Sequence, residues 1–417
     1  MASGREDGRG RKDWQSLGKW KDGRVRSGAK VTIWISLLFG IAFTGAGIPL
    51  AMQMPQEIAD ENYIILLALL FPLIGLSSLV LFVRSVLAWR KFGRTELVLD
   101  PVPGSIGGDF GGYVDLPIAG SSARNQNIDV DLVLNCLQTT TTGSGKNRST
   151  RTKVVWQREG LATVALTRDG IRCAFRFAIP DDLPETEASS SSYNHWLFQI
   201  ECDLPGIDFK RSFNVPLIRH ESPQFSNLRA AYAQASNPLK KPPKGSVDIT
   251  ESTDGLQFYY PWHRHLKMAI SLFIFGSIFA VIGYFIGAYD GGLVFPVVFG
   301  GVGILTVIAS LYVIGNTLTT RVGRDGIDVV RNVYGFRFKK KVTRDNIVGL
   351  ERQIASQMQS AGDYSVYYTI VAHSKDGREI TIADSLEGSR LTDFVENKVK
   401  AALRLDDAVS LVDSWGT

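Results

Sequence analysis

The residues with the greatest chemical reach in this sequence are few and scattered. The histidines are His195, His220, His263, His265 and His373, and only His263 and His265 are neighbours. An HxH pair can ligate a metal, but this one flanks Arg264 and has no cysteine or carboxylate close by. Beside Trp262, just ahead of an apolar window, it reads as an interfacial pair. Asp181-Asp182 are paired carboxylates, yet they follow Ile179-Pro180, where turn chemistry favours aspartate. Residues 139–150 (TTTTGSGKNRST) come near a phosphate-binding loop. Position 140 is threonine where the first glycine must stand, and Gly145-Lys146 is followed by Asn147 instead of Ser or Thr. The backbone cradle and the magnesium hydroxyl are both lost, so this stretch is expected to be a polar hairpin loop. Asn147-Arg148-Ser149 is a formal glycosylation sequon, which a cytoplasmic placement leaves idle. No GxSxG, HExxH or CxxC occurs. We therefore expect no enzyme activity, no metal and no cofactor.

The cysteines, Cys136, Cys173 and Cys202, are an odd count without close spacing. That excludes a disulfide framework and a zinc pattern. Each falls on the apolar phase of an alternating run, so they read as small buried hydrophobes in a reducing compartment.

What positions these residues is a chain of 417 residues, net charge +5, whose charge is unevenly distributed. Four windows contain no Asp, Glu, Lys or Arg: Val31 to about Met52, Tyr63 to Val83, Met268 to about Ala288, and Leu293 to Gly315. Each is close to the roughly 20 residues that cross a bilayer. The first is preceded by thirty polar residues, which is unlike a cleaved signal peptide. Residues 1–30 hold nine Lys/Arg against four acids, and basic residues also follow the second window (Arg84, Arg90, Lys91, Arg94), precede the third (Arg264, Lys267) and follow the fourth (Arg321, Arg324). The connections 53–62 and 289–292 carry only acids. The positive-inside rule then puts both hairpin tips outside and the N-terminus, the 90–265 region and the C-terminus in the cytoplasm. The expected location is the inner (plasma) membrane, multi-pass.

Small residues share one face of the third window: Gly276, Ala280, Gly283 and Gly287. Gly40, Thr44 and Gly47 do the same in the first. Such stripes let helix backbones approach closely. The plain use is packing within one chain; the sharper use is a homo-oligomer. No intramembrane charge marks an ion path, which speaks against a pump or secondary transporter.

Residues 94–218 alternate with period two. Ile128, Val130, Leu132, Leu134 and Cys136 form one run; Ile171, Cys173, Phe175, Phe177 and Ile179 a second; Trp196, Phe198, Ile200, Cys202 and Leu204 a third; Phe209, Phe213, Val215 and Leu217 a fourth. One apolar face at this period means half-buried antiparallel strands, and many of them suggest a sandwich. Residues 219–246, with Pro223, Pro238, Pro242, Pro243 and three lysines, read as a semi-rigid basic linker. A short hairpin at 247–260, with its turn at Asp254-Gly255, is expected to pair with the strand after the fourth window. Strands then follow from Leu318, closed by an amphipathic helix with Leu391, Phe394, Val395, Val399 and Ala402 on one face.

Two resemblances arise on these residues. GIRCAFRFAIPDDLPET and YNHWLFQIECDLPGIDFKRSFNVPL resemble the arrestin-like β-sandwich: alternating Phe175 and Phe177 end at Pro180, Leu183-Pro184 make a short turn, and a long strand with Trp196 leads through Phe213 to Val215-Pro216. GSIGGDFGGYVDL would be its glycine-containing first edge. The resemblance covers one sandwich, about 95–218, and implies a protein-binding platform without catalysis. Strands followed by one terminal helix, with the DGREITI end at 376–382, are similar to bacterial pleckstrin-homology-like domains over about 318–405.

Arg337, Lys339, Lys340 and Lys341 are candidate lipid-headgroup contacts, because basic residues near an anionic leaflet contribute about 1 kcal/mol each; the plainer reading is a solvated strand face. Nucleic-acid binding is not expected so close to a membrane. The fold class we expect is a membrane protein with four transmembrane helices in two hairpins, an all-β sandwich and a small β-plus-terminal-helix domain. Its expected parts are a basic tail (1–30), hairpin 1 (31–88), the sandwich (94–218), the linker (219–246), a β-hairpin (247–265), hairpin 2 (266–315), a pleckstrin-homology-like domain (316–405) and a tail (406–417). The expected role is a non-catalytic membrane-anchored scaffold or regulator with an unidentified protein partner. The alternative is an accessory subunit of a transport or cell-envelope complex, assembled through its membrane helices.

Overall fold

A helix satisfies its backbone hydrogen bonds internally, as a bilayer would require of apolar windows this long, and all four windows are helical. In the computed structural model they form α1 (Lys30–Ala59), α2 (Leu70–Phe92), α3 (Leu266–Asp290) and α4 (Gly301–Gly315). A 3₁₀ segment, Tyr63–Leu69, leads into α2, and a π-helical turn, Pro296–Gly300, leads into α4. With the π-helical turn counted into the fourth, the spans Ile33–Ala59, Leu70–Phe92, Met268–Ala288 and Pro296–Gly315 are long and apolar enough to cross a bilayer. The structure describes residues 20, 23–27, 30–60, 63–117, 129–143, 148–204, 206–228, 239, 242–243, 245–252, 255–290, 294, 296–360 and 363–404. Most of the basic tail, Gly145-Lys146, Asn147 of the sequon, Asp254, much of the linker and the 406–417 tail lie outside the described residues.

The chain divides into two units, the first drawn from Met1–Ala51, Leu69–Asn237 and Gln359–Tyr364, the second from Met52–Ala68, Pro238–Met358 and Ser365–Thr417.

In the first unit, alternation produces two facing sheets. Strands β1 (Arg24–Arg26), β2 (Glu96–Leu99), β4 (Asp109–Leu116), β7 (Thr163–Leu166) and β8 (Ile171–Ala178) build a five-stranded sheet in the order β1-β2-β4-β8-β7. Strands β5 (Val130–Thr142), β6 (Ser149–Leu161), β9 (Ser192–Cys202) and β10 (Phe209–Val215) build a four-stranded one, β10-β9-β5-β6. β3 (Gly104–Ile106) and β11 (Leu217–Arg219) pair in parallel beside them. Phe110, Phe175 and Phe177 of one sheet meet Phe198 of the other at ring distances of 5.4, 4.3 and 6.4 Å. All are fully buried, which makes this a sandwich with an aromatic centre.

Three expectations change here. Residues 20–26 are not tail: Trp20 is buried with its indole N–H on the Asn214 carbonyl (2.9 Å), and β1 pairs antiparallel with β2. Three residues with one apolar position are too few to show a period. The polar loop expected at 139–150 shortens, because β5 runs to Thr142 and β6 begins at Ser149; threonine is a good strand former whatever its polarity. The glycine-rich strand expected at an edge, β4, lies in mid-sheet between β2 and β8. There Gly112, at φ +152°, lies so close to the Val98 carbonyl that no side chain fits.

The sandwich also outruns its expected end at 218. Ser226 donates its backbone N–H to Asp109 and its hydroxyl to Asp100, both at 2.9 Å. The linker therefore begins after this strap. Because β1 precedes α1 and β2 follows α2, their pairing brings the two outer ends of that helical pair together. Phe92 closes α2 against Phe209, edge to face at 5.1 Å.

In the second unit, β12 (Asp248–Ser252), β13 (Gly255–Tyr260), β14 (Asn316–Gly323), β15 (Gly326–Val333) and β16 (Phe336–Thr343) form one antiparallel sheet in chain order. β13 pairs with β14 from Gly255↔Gly323 to Tyr260↔Leu318. The expected joining of the 247–260 hairpin to the strand after α4 is present, and α3 and α4 are an insertion between neighbouring strands. β17 (Ile347–Ser360), β18 (Asp363–Ser374) and β19 (Glu379–Glu387) make a second sheet, and α5 (Ser389–Leu403) closes the unit. Leu391, Val395, Val399 and Leu403 of α5 are buried; Phe394 and Ala402, expected on that face, are half-buried.

Candidate membrane-proximal site

Helix contact begins with what the glycines leave open. A Cβ on Gly283 would lie 2.3 Å from the Gly300 nitrogen, one on Gly276 2.8 Å from the Gly303 carbonyl, and one on Gly287 3.0 Å from Pro296. A Cβ on Gly303 would sit 2.3 Å from the Ala280 nitrogen. The stripe Gly276, Ala280, Gly283, Gly287 is thus filled by α4 and the turn before it. In the other helical pair, Gly40 faces Leu79, Gly47 faces Pro72, and Thr44 faces Gly75. Both stripes serve packing within the chain; Gly40, Gly47, Gly276 and Gly283 are buried by it, and Gly287 stays exposed.

Where α3 and α4 meet their sheet, the chain buries charge. Arg264 precedes α3, and its side chain is only 5 % exposed. Its Nη1 donates to the carbonyls of Tyr260, Pro261 and Asn316, tying the end of β13 to the start of β14. Its Nη2 lies 3.8 Å from Asp384 of β19, to which Arg331 of β15 donates at 2.9 Å. Arg331 also donates to the Asn316 side chain at 3.2 Å. Burial pushes the Asp384 carboxyl up, but Arg331 and Arg264 outweigh it and hold the group below its ordinary value. Burial drives the Arg264 guanidinium down, with Asp384 opposing and Arg331 adding to the fall. An unpaired charge here would be costly, so the cluster ties both helix ends to four strands, β13, β14, β15 and β19. Sequence reading saw Arg264 as one more flanking cation; its partner is 120 positions away and leaves no local signal.

The lysine run lies on β16, the last strand of its sheet. Every residue from Phe336 to Lys341 is exposed, among them Phe336 (72 %) and Phe338 (62 %). Lys341 approaches Asp328 at 3.6 Å; among the described residues Arg337, Lys339 and Lys340 form no ion pair. The turn before β16 is anchored: the Tyr334 hydroxyl donates to the Leu311 carbonyl of α4 at 2.7 Å, and the Tyr334 ring covers Gly315.

The outer face of the sandwich's four-stranded sheet carries a buried amide ladder. Asn135 donates to Gln199 at 3.0 Å and accepts from Gln157 at 2.9 Å. Gln199 then donates to Asp363 at 2.7 Å, and Lys210 bridges Asp363 (2.9 Å) and Glu201 (2.7 Å). The ladder was hidden in the sequence because these residues occupy the polar phase of their strands, where solvent is expected.

The sequence candidates for chemistry stay apart. His263 is exposed against Trp262, whereas His265 is half-buried against Tyr367, where burial and Arg264 hold its imidazole below the usual value. Asp181 and Asp182 sit in the turn after β8, where the Asp181 carbonyl accepts from Arg219. All three thiols are buried; burial pushes Cys136 and Cys173 up to about 12 and Cys202 to about 11, so none is a nucleophile at neutral pH. Among the described residues no group of three or more His, Cys, Asp or Glu could hold a metal ion.

These elements define a class: two β modules, each carrying an apolar helical pair inserted between or beside adjacent strands. No family model matches the sequence, and no curated protein does. Among solved structures, the crystal structure of Spo0M, a sporulation control protein from Bacillus subtilis, is similar at 9 % identity and a TM-score of 0.22, over 60 % of this chain and 90 % of that one. A TM-score this low assigns neither fold nor function.

Proposed function

We propose that this chain is a non-catalytic, membrane-anchored scaffold or regulator that binds a protein partner on the cytoplasmic side through its β modules. The observation that carries this reading is β6. It is thirteen residues long, stands last among the described strands of its sheet, and among the described residues takes β5 as its ladder partner. Such an edge is a template for an added strand, with backbone hydrogen bonds giving affinity and alternate side chains giving selectivity. The arrestin-like reading of the sandwich supports a binding platform: Phe175, Phe177, Phe213 and Val215 are buried, and Trp196 donates to the Pro184 carbonyl at 3.0 Å, fastening the Leu-Pro turn to β9. The two sheets and closing helix of the second unit support a pleckstrin-homology-like reading. The alternative, an accessory subunit assembled through its membrane helices, has less support, because Gly40, Gly47, Gly276 and Gly283 pack within the chain.

The test uses the full chain in its native membrane, with a photocrosslinking amino acid at exposed Arg151 or Lys153 of β6, or at exposed Leu305 of α4. Protein adducts from 151 and 153, absent from 305, are expected. Adducts from 305 alone would overturn the scaffold reading in favour of assembly through the helices.

A further inference from the structure

We propose that the β15–β16 hairpin is an interfacial anchor that lays its tip on an anionic bilayer leaflet, with Tyr334, Phe336 and Phe338 entering the headgroup layer and Arg337, Lys339 and Lys340 pairing with lipid phosphates. This rests on the reading of α4 as membrane-spanning. The position follows from register. Phe336 pairs with Val333, which pairs with Asn316, the first residue beyond α4. Phe338 pairs with Arg331, which pairs with Leu318, so it stands only two residues, about 7 Å, further along. Tyr334, bonded to Leu311 and covering Gly315, holds the tip alongside the last turn of α4. If α4 spans, the tip lies at the level where the hydrocarbon ends.

The side-chain pattern fits that place. Phe336 and Phe338 share the face of β16 that Val342 buries in the core, but they lie beyond the covered part and stay exposed. Exposed aromatics at the end of a soluble module are a cost in water and a gain in the interface, where amphipathic rings accumulate. Arg337 and Lys339 occupy the opposite face and Lys340 the same one, so cations surround the rings, and none of the three has an acidic partner among the described residues. Their free charge complements an anionic leaflet, with each residue shifting the docked fraction about five-fold.

The test places a polarity-sensitive dye on Phe338→Cys or Leu305→Cys in the full chain; the native thiols are buried and stay unlabelled. Liposomes contain a headgroup-level spin-labelled lipid as quencher, with phosphatidylcholine alone or with added phosphatidylglycerol. The dye at 338 should be quenched with phosphatidylglycerol, and less so in phosphatidylcholine. Changing Arg337, Lys339 and Lys340 to serine should shift the docked ratio on the order of a hundred-fold. A dye at 305 that is shielded from aqueous iodide, together with one at 338 that iodide reaches in both lipids, would overturn the anchor and leave the membrane reading intact. Iodide reaching 305 would remove the membrane reading and the anchor with it. A dye at 338 that answers to single-stranded RNA and not to phosphatidylglycerol would also overturn the proposal.

Discussion

Replacing Asp384 by alanine should destabilise the second unit by about 3–5 kcal/mol, the usual cost of removing one partner of a buried charge cluster. Arg264 would keep its three backbone acceptors but lose its counter-charge while remaining buried. Arg331→Ala should cost much less, because Arg264 and Asp384 would still face each other and Arg331 is partly in water. Thermal unfolding of the purified full chain in mild detergent reads both. The same cluster sets a pH dependence. The folded Asp384 carboxyl is held below its ordinary value of 3.8, so its contribution is fully present above that pH and is lost as pH falls through the lower, folded value. Acid destabilisation of the second unit should therefore be weaker in Asp384→Ala than in the natural chain. Equal acid sensitivity in the two would show that Asp384 is not a stabilising carboxylate.

The second large effect is steric. Gly283→Leu must push α3 away from Gly300, because the atoms in its way are backbone. Overpacking costs about 1–3 kcal/mol where side chains can adjust, and more where they cannot. Gly303→Leu should behave alike against Ala280, whereas Gly301→Leu, whose Cβ would meet nothing within 4 Å, should be silent. Resistance of the detergent-solubilised chain to SDS-induced unfolding separates the three. Equal resistance in all would mean that α3 and α4 do not pack through these glycines.

How much of this was legible depends on the range over which each signal acts. The apolar windows and the alternation of Cys173, Phe175 and Phe177 are local patterns, and helices and strands lie where they predict. Boundaries were less legible. α1 runs through residues 53–59, expected as a connection, because Gln, Met, Glu and Ala extend a helix readily once it has begun. β1 escaped because its evidence is one valine, Val25, whose burial depends on strand β2, some seventy residues on. The lysine run was visible, but the level of Phe336 against the end of α4 depends on two strand registers that no local pattern encodes. The Arg264–Asp384 cluster and the Asn135–Gln199 ladder were invisible for the same reason: each is a long-range contact among residues whose type alone suggests solvent.

The central proposal is that both helical pairs cross a membrane and return, which would leave both β modules facing the same compartment. Single cysteines at Asp60, Ala288, Arg151 and Arg404, all exposed positions, test it with a membrane-impermeant maleimide. The buried native thiols provide a silent background. In intact cells the reagent should label positions 60 and 288, and it should reach 151 and 404 only after permeabilisation. Labelling of 151 or 404 from outside, or of 60 and 288 from opposite sides, would contradict the account.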